Sequence, residues 1–241
     1  MSGLDGAAVM VFGGSSGIGL GTATAAMAAG AKVTVAGRDP KRLAAAGAAV
    51  SGVETVPLDA ADEAALAAFF AGRAPFDHVV VSVGMGGRGR IAEQKPAEAM
   101  AAFEAKFWTY YRVARTAKIV PGGSLTVISG VIGHQPAPGA ALISAINAAV
   151  EGLTRGLAVD FAPTRVNTVC PGLVDTALWD RLSAADRQAM YARAAATLPA
   201  RRVGQPADIA QAVLMMMTNP FVTGTTLVVD GGALLGGARD H

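Results

Sequence analysis

The residues whose types and spacing most clearly promise chemistry stand together in Gly13-Gly14-Ser15-Ser16-Gly17-Ile18-Gly19. An apolar run, Ala8–Phe12, leads into them and an alanine-rich stretch leads out. A glycine turn between a strand and a helix N-terminus is suited to phosphate. Gly13 permits the tight turn, Gly17 lets backbone N–H groups approach a pyrophosphate, and Gly19 lets helix and strand pack closely. The spacing is not the G-x-G-x-x-G of the standard dinucleotide fingerprint. Elsewhere the polar signals are sparser. His134 has no carboxylate near it in sequence and reads as a substrate contact or a plain loop residue rather than a general base. The arginines of Gly86-Gly87-Arg88-Gly89-Arg90 read as a solvated rim or a contact for an anionic substrate group, and Tyr110 as a packed aromatic.

These residues need elements to hold them, and the sequence alternates two kinds. Short runs rich in β-branched residues, at Ala8–Phe12, Lys32–Ala36, Val53–Pro57, His78–Val83, Ser124–Ile128, Arg165–Val169 and Thr225–Val229, read as strands. Most are continuously apolar, the pattern of parallel strands covered on both faces. Between them lie helical stretches at Gly17–Ala29, Lys41–Val50, Ala61–Ala71, Pro96–Lys118, Gly139–Phe161 and Pro206–Met217, with Asp62 and Glu63 in a first turn as the helix dipole prefers. The pattern predicts an α/β, Rossmann-type doubly wound sheet of about seven parallel strands with helices on both faces, forming a single domain over residues 1–241. A segment of about 173–205 carries helical pieces around Ala177–Leu182 and Ala184–Ala196. It is placed to overhang the carboxyl edge of the sheet, where ligands bind, as a substrate lid.

Composition narrows the function classes. The chain has 241 residues, 52% hydrophobic and 16% charged, enough for one sizeable core. Twenty basic against 18 acidic residues disfavour a nucleic-acid partner. The single cysteine, Cys170, excludes a disulfide framework and a cysteine-based zinc cluster; no metal site is expected, and a reducing cytoplasm fits. No uninterrupted apolar stretch reaches 18 residues and the N-terminus has no secretory pattern, so no membrane association is expected.

The glycine loop resembles the G-x-x-x-G-I-G variant of the short-chain dehydrogenase/reductase family, with Phe12 where that family usually has Thr. The resemblance runs from Ala8 to about Leu235. Asp59 looks like the family's adenine-contacting aspartate, Pro171-Gly172 with Val174 and Thr176 like the stretch that holds the nicotinamide carboxamide, and Asp230-Gly231-Gly232 like its C-terminal signature. It implies a dinucleotide site formed by Gly13, Ser15, Ser16, Gly17, Ile18, Gly19, Asp59, Ser82, Gly84, Asn147, Pro171, Gly172, Val174 and Thr176. The end of the second strand selects the dinucleotide: an acid there would bond the ribose hydroxyls, but Ala36-Gly37 is followed by Arg38, whose guanidinium suits a 2′-phosphate. NADP(H) is therefore favoured over NAD(H), with Asp39 the one opposing sign.

The family's proton-handling residues are a serine, a tyrosine, a lysine four residues later and an asparagine on the fourth helix. Alignment with that pattern puts Gly130, Ile143, Asn147 and Lys106 at those places, and Ser82-Val83-Gly84 where Asn-Ala-Gly is usual. Two readings follow. In one, the chain is an NADP(H)-dependent oxidoreductase with a rebuilt site, in which Lys106 and Asn147 have exchanged places and Lys106, Ser129 and Asn147 are catalytic. A buried lysine has a lowered pKa suited to proton donation. In the other it is a catalytically silent NADP(H)-binding sensor or interaction protein, and Lys106 is a surface lysine covering apolar neighbours. Met85, His134, Ile143 and Trp179, with Leu178, Met190 and Tyr191 in the lid, suggest a small or medium apolar carbonyl, quinone or imine as substrate. The apolar helices around 96–118 and 139–161 pair across subunits in that family, which implies a homo-oligomer, dimer or tetramer.

Overall fold

The structure is a computed structural model describing residues 3–84 and 87–236. Seven parallel strands form one sheet in the order β3-β2-β1-β4-β5-β6-β7. They are β1 (Ala8–Phe12), β2 (Lys32–Gly37), β3 (Glu54–Pro57), β4 (Phe76–Val81), β5 (Ile119–Ile128), β6 (Arg165–Pro171) and β7 (Thr226–Val229). The order reverses after β1, which crosses to β4, and this opens a crevice at the carboxyl edge between them. Strands β1, β4 and β6 are buried nearly throughout, as their unbroken apolar character requires.

Helices α1 (Gly17–Ala28) and α8 (Pro206–Thr218) pack together on one face of the sheet, where Val9, Val11, Val33, Val35, Ile209 and Met216 form the core. The other face carries α3 (Glu63–Ala71), α4 (Pro96–Phe103), α5 (Thr109–Thr116) and α6 (Ala141–Asp160), over Met10, Phe12, Val79, Val81 and Leu125. Helix α2 (Pro40–Ala49) begins at Asp39, whose carboxylate accepts from the N–H groups of Lys41 and Arg42; Asp62 caps α3 in the same way.

The sequence pattern predicts one helix over Pro96–Lys118, but a π turn at Glu104–Trp108 divides it into α4 and α5. Ala102, Lys106 and Tyr110, spaced by four, are all buried. A turn wider than 3.6 residues keeps that spacing on one face, and such turns concentrate at functional sites. Helix α6 is long and apolar enough by length and composition to cross a membrane. It instead lies on the sheet through Ile146, Asn147, Val150, Glu151 and Thr154. Its outer positions, Ala141, Ala145 and Ala148, are exposed in the single chain.

The segment expected to be a lid is tied at its base: Val174 pairs with Gly204, the Asp175 N–H donates to the Gly204 carbonyl, and the Gly204 N–H donates to that of Leu173. Between these ends are a 3-10 turn, Ala177–Arg181, and α7 (Ala184–Thr197).

Candidate active site

The crevice is built first by backbone. Gly13 has φ +73° and Gly17 φ +53°, conformations that side chains rarely adopt. A Cβ on Gly13 would strike the Ser82 carbonyl after β4, and one on Gly19 the Gly13 carbonyl. The loop therefore lies flat against β4 and folds back on itself. Ser16 is the N-cap of α1, yet its side chain accepts no hydrogen bond from the first turn, so the N–H groups there stay available to an anion. Across the crevice, the space a Cβ would take on Gly17 is 3.3 Å from Thr176 Cγ2, and the space beside Gly37 is 3.2 Å from Ser15 Oγ. The glycine turn, the end of β2 and the start of the lid thus converge on one cradle shaped for a dinucleotide. Pro171 and the buried Val174 stand at its edge, and Gly172 packs on Asp230 so closely that a Cβ would meet Asp230 Cα at 2.7 Å. Ile18 packs on the core below.

Arg38 is exposed at the end of β2 and has no side-chain hydrogen bond or ion pair among the described residues. Asp39 points elsewhere: its Oδ1 accepts from Lys41 N at 2.9 Å and Arg42 N at 3.3 Å. The acid that opposed a 2′-phosphate is thus occupied as a helix cap. Asp59 Oδ1 accepts from the Ala61 N–H at 3.0 Å, which holds its exposed carboxylate at the rim.

At the other end of the crevice, Gly84 (φ +86°) lets the chain after β4 touch the π turn, since a Cβ there would lie 2.7 Å from Lys106 Cβ. Lys106 is only 7% exposed, which excludes the surface-lysine reading. Its Nζ donates to Asn147 Oδ1 at 2.8 Å and to the Ser129 carbonyl at 3.1 Å. Burial lowers its pKa to about 8, opposed by negative charge at Cys170 and Glu151. The Cys170 thiol is itself pushed up to about 11 by burial and is neutral at physiological pH, so the charge facing Lys106 there is the Glu151 carboxylate. Asn147 also explains Gly130: a Cβ on that glycine would stand 3.2 Å from Asn147 Nδ2. The amide fills the room a serine side chain would need.

Glu151 was not visible as a site residue in the sequence reading. It lies one turn after Asn147 on the same face of α6, 5% exposed, and that i, i+4 spacing was the available signal. Ser129 Oγ donates to its Oε1 at 2.8 Å, and His134 Nε2 lies 3.1 Å from Oε1 and 3.0 Å from Oε2. His134 therefore has a carboxylate partner after all, supplied by the fold from 17 residues away. It supports the buried acid, and its imidazole reaches solvent at 39% side-chain exposure.

Two of the three phenols are committed elsewhere, and the third, Tyr111, is exposed. Tyr110 donates to the carbonyls of Val83 at 3.0 Å and Ile128 at 2.9 Å, and burial pushes its pKa up. Tyr191 in the lid donates to Asp175 Oδ1 at 2.8 Å, with its pKa raised to about 12 by partial burial and that acid. Ile143, half-buried, donates its N–H to the Gly87 carbonyl and so ties the Arg88–Arg90 loop to α6. Trp179 gives its indole N–H to the Val174 carbonyl at 3.0 Å, leaving the ring as apolar surface in the lid. Met85 lies outside the described residues.

Comparison with known proteins completes the site. Residues 13–233 match the family model described as enoyl-(acyl carrier protein) reductase. A short-chain dehydrogenase/reductase of Stachybotrys chlorohalonatus is 34% identical over 253 residues, spanning 96% of this chain and 98% of that one. Among solved structures, a small-chain dehydrogenase in complex with NADPH is 34% identical with a TM-score of 0.84, covering 96% of this chain and all of the other. The NADPH-bound short chain oxidoreductase of Pseudomonas aeruginosa PAO1, described as containing an atypical catalytic center, is 28% identical with a TM-score of 0.87 and covers 98% of this chain and 99% of the other.

Proposed function

Because this chain belongs to the short-chain dehydrogenase/reductase family, we propose that it is an NADP(H)-dependent oxidoreductase in which Lys106 handles the proton usually entrusted to a tyrosine. The observation that carries this reading is the buried contact between Lys106 Nζ and Asn147 Oδ1 at 2.8 Å. In the family pattern helix four brings an asparagine and the later helix a lysine. Here the types are exchanged, and the two side chains still meet.

The bound nicotinamide would supply or accept the hydride. Everything else falls to the chain. The Gly13–Gly19 turn and the first turn of α1 would take the pyrophosphate, and Arg38 the 2′-phosphate that distinguishes NADPH. NADPH-bound relatives support that choice. Two of the three N–H bonds of the Lys106 ammonium are spent on Asn147 and Ser129, which leaves one to donate to a reacting oxygen or nitrogen. A group titrating at about 8 is protonated at neutral pH and releases its proton far more readily than an ordinary lysine. Asn147 orients the ammonium, and Gly130 makes room for Asn147. The usual Ser-Tyr-Lys set is thereby replaced rather than lost, as the atypical centre described for the P. aeruginosa relative allows.

The apolar lid surface at Leu178, Trp179 and Met190 favours a small or medium apolar carbonyl, quinone or imine. A second copy of the chain would cover Met100, Trp108 and Tyr111, which are 73%, 44% and 41% exposed on the outer face of α4 and α5.

A structure with NADPH bound tests the assignment: the free N–H of Lys106 should lie within ~3 Å, or one water, of the space facing nicotinamide C4. Kinetics on a panel of quinones, ketones and cyclic imines should then show Lys106→Met losing turnover while NADPH still binds. The silent-sensor reading is favoured by the phenols being committed elsewhere. It would replace the enzyme if Lys106 were walled off from the bound nicotinamide by Ile143.

A further inference from the structure

Lys106 and Glu151 are oppositely charged side chains buried on neighbouring elements, the π turn and α6. A charge taken out of water is costly unless an opposite charge and hydrogen bonds compensate it. Arg165, also buried, turns its two terminal nitrogens away to the carbonyls of Met216 and Met217, while its Nε has no partner among the described residues. Lys106 and Glu151 share one intermediary. The Ser129 carbonyl accepts from Lys106 Nζ at 3.1 Å, while its hydroxyl donates to Glu151 Oε1 at 2.8 Å. His134 occupies the carboxylate from the solvent side, within 3.1 Å of both oxygens.

We propose that Glu151 is a positioning residue for Lys106: its buried negative charge keeps the ammonium protonated, and its grip on Ser129 holds the carbonyl that directs the ammonium toward Asn147. The catalytic consequence rests on the reading of Lys106 given above; the coupling between the two charges does not. Among the described residues no other facing group supplies that charge. On the helix bearing Lys106, Glu104 pairs with Arg112 at 2.5 Å, and Tyr110 presents its ring, 5.9 Å from Nζ. The ends of β5 and β6 contribute Ser129 and the neutral Cys170 thiol. Helix α6 contributes Asn147 and Glu151, and the loop after β5 only His134, engaged with Glu151.

The test is the titration of Lys106 in full-length protein carrying 13Cε-labelled lysine, followed by NMR, its signal assigned by comparison with Lys106→Met. The wild-type midpoint is expected at about 8. Glu151→Gln should lower it by about one unit, the scale of a nearby opposite charge, raising the neutral fraction at pH 7 from about a tenth to about a half. Glu151→Asp should restore most of the difference. If the amide variant does not fold, Glu151→Met, a neutral side chain of similar length, replaces it. An unchanged midpoint in either neutral variant overturns the proposal. The alkaline limb of the kcat/KM profile is a separate readout. A Lys106 that titrates with Glu151 but whose removal spares turnover would sink the catalytic reading alone. Loss of turnover in Lys106→Met with a midpoint indifferent to Glu151 would sink this inference alone.

Discussion

Replacing Lys106 with methionine should favour the variant most at neutral pH and progressively less, relative to wild type, as the pH rises. Methionine keeps the stem's volume and discards the charge. Wild-type Lys106 titrates at about 8 when folded, against 10.5 for the free side chain. At pH 7 the buried ammonium thus costs about 3 kcal/mol, from roughly 1.4 kcal/mol for each unit of depression. Between these two values the unfolded chain binds the extra proton, so wild-type stability rises with pH through this window and the cost fades. It should shrink to about 2 kcal/mol at pH 9 and to between 1 and 2 kcal/mol, roughly, at pH 9.5. Against the gain stand the Asn147 amide oxygen and the Ser129 carbonyl left without their donor, a loss of about 1–3 kcal/mol each that does not vary with pH. The absolute difference mixes both effects, but its slope belongs to Lys106 alone. Urea unfolding of both proteins from pH 6 to 9.5 measures it, because every other titrating group is common to the pair. A flat difference curve would refute the reasoning and mean that Lys106 is solvated rather than buried.

Three further outcomes follow from the same geometry. Arg38→Ala should weaken NADPH binding about 10- to 100-fold, the worth of a charge-assisted contact, while changing NADH binding little; equal loss for both by fluorescence titration would remove Arg38 from the phosphate site. Gly130→Ser should displace the Asn147 amide, which already stands 3.2 Å from the position of the new Cβ, costing about 1–3 kcal/mol and lowering turnover; a variant with unchanged melting and kinetics would contradict the close packing. Gly13→Ala places a methyl against the Ser82 carbonyl in a backbone conformation with φ +73°, and should abolish NADPH binding or unfold the turn. Calorimetric titration decides, and normal affinity in a folded variant would rule out the cradle.

The fold was legible in the sequence because its signals are local. Apolar β-branched runs alternating with alanine-rich stretches fix strands and helices within a few residues: β1 spans Ala8–Phe12, and α7 extends one residue past the expected Ala196. Gly13 and Gly17 announced a tight turn and a close backbone approach that side chains forbid, and their positive φ values are the result. The residue types at Lys106 and Asn147 were also readable, and the structure adds that the two side chains meet.

What sequence could not decide was environment. Nothing local distinguishes a lysine whose stem covers a surface from one buried at 7% exposure with a lowered pKa; only the π turn, the approach of Gly84 and the packing of α6 make that difference. Glu151 and His134, far apart in the chain, become one hydrogen-bonded unit because the loop after β5 folds back over α6. Asp39 looked like a rival for the ribose until it proved to be the cap of α2. Residue type and periodicity are properties of a short stretch of chain. Desolvation and charge coupling depend on which atoms replace water around a group, and that is set only when distant elements close together.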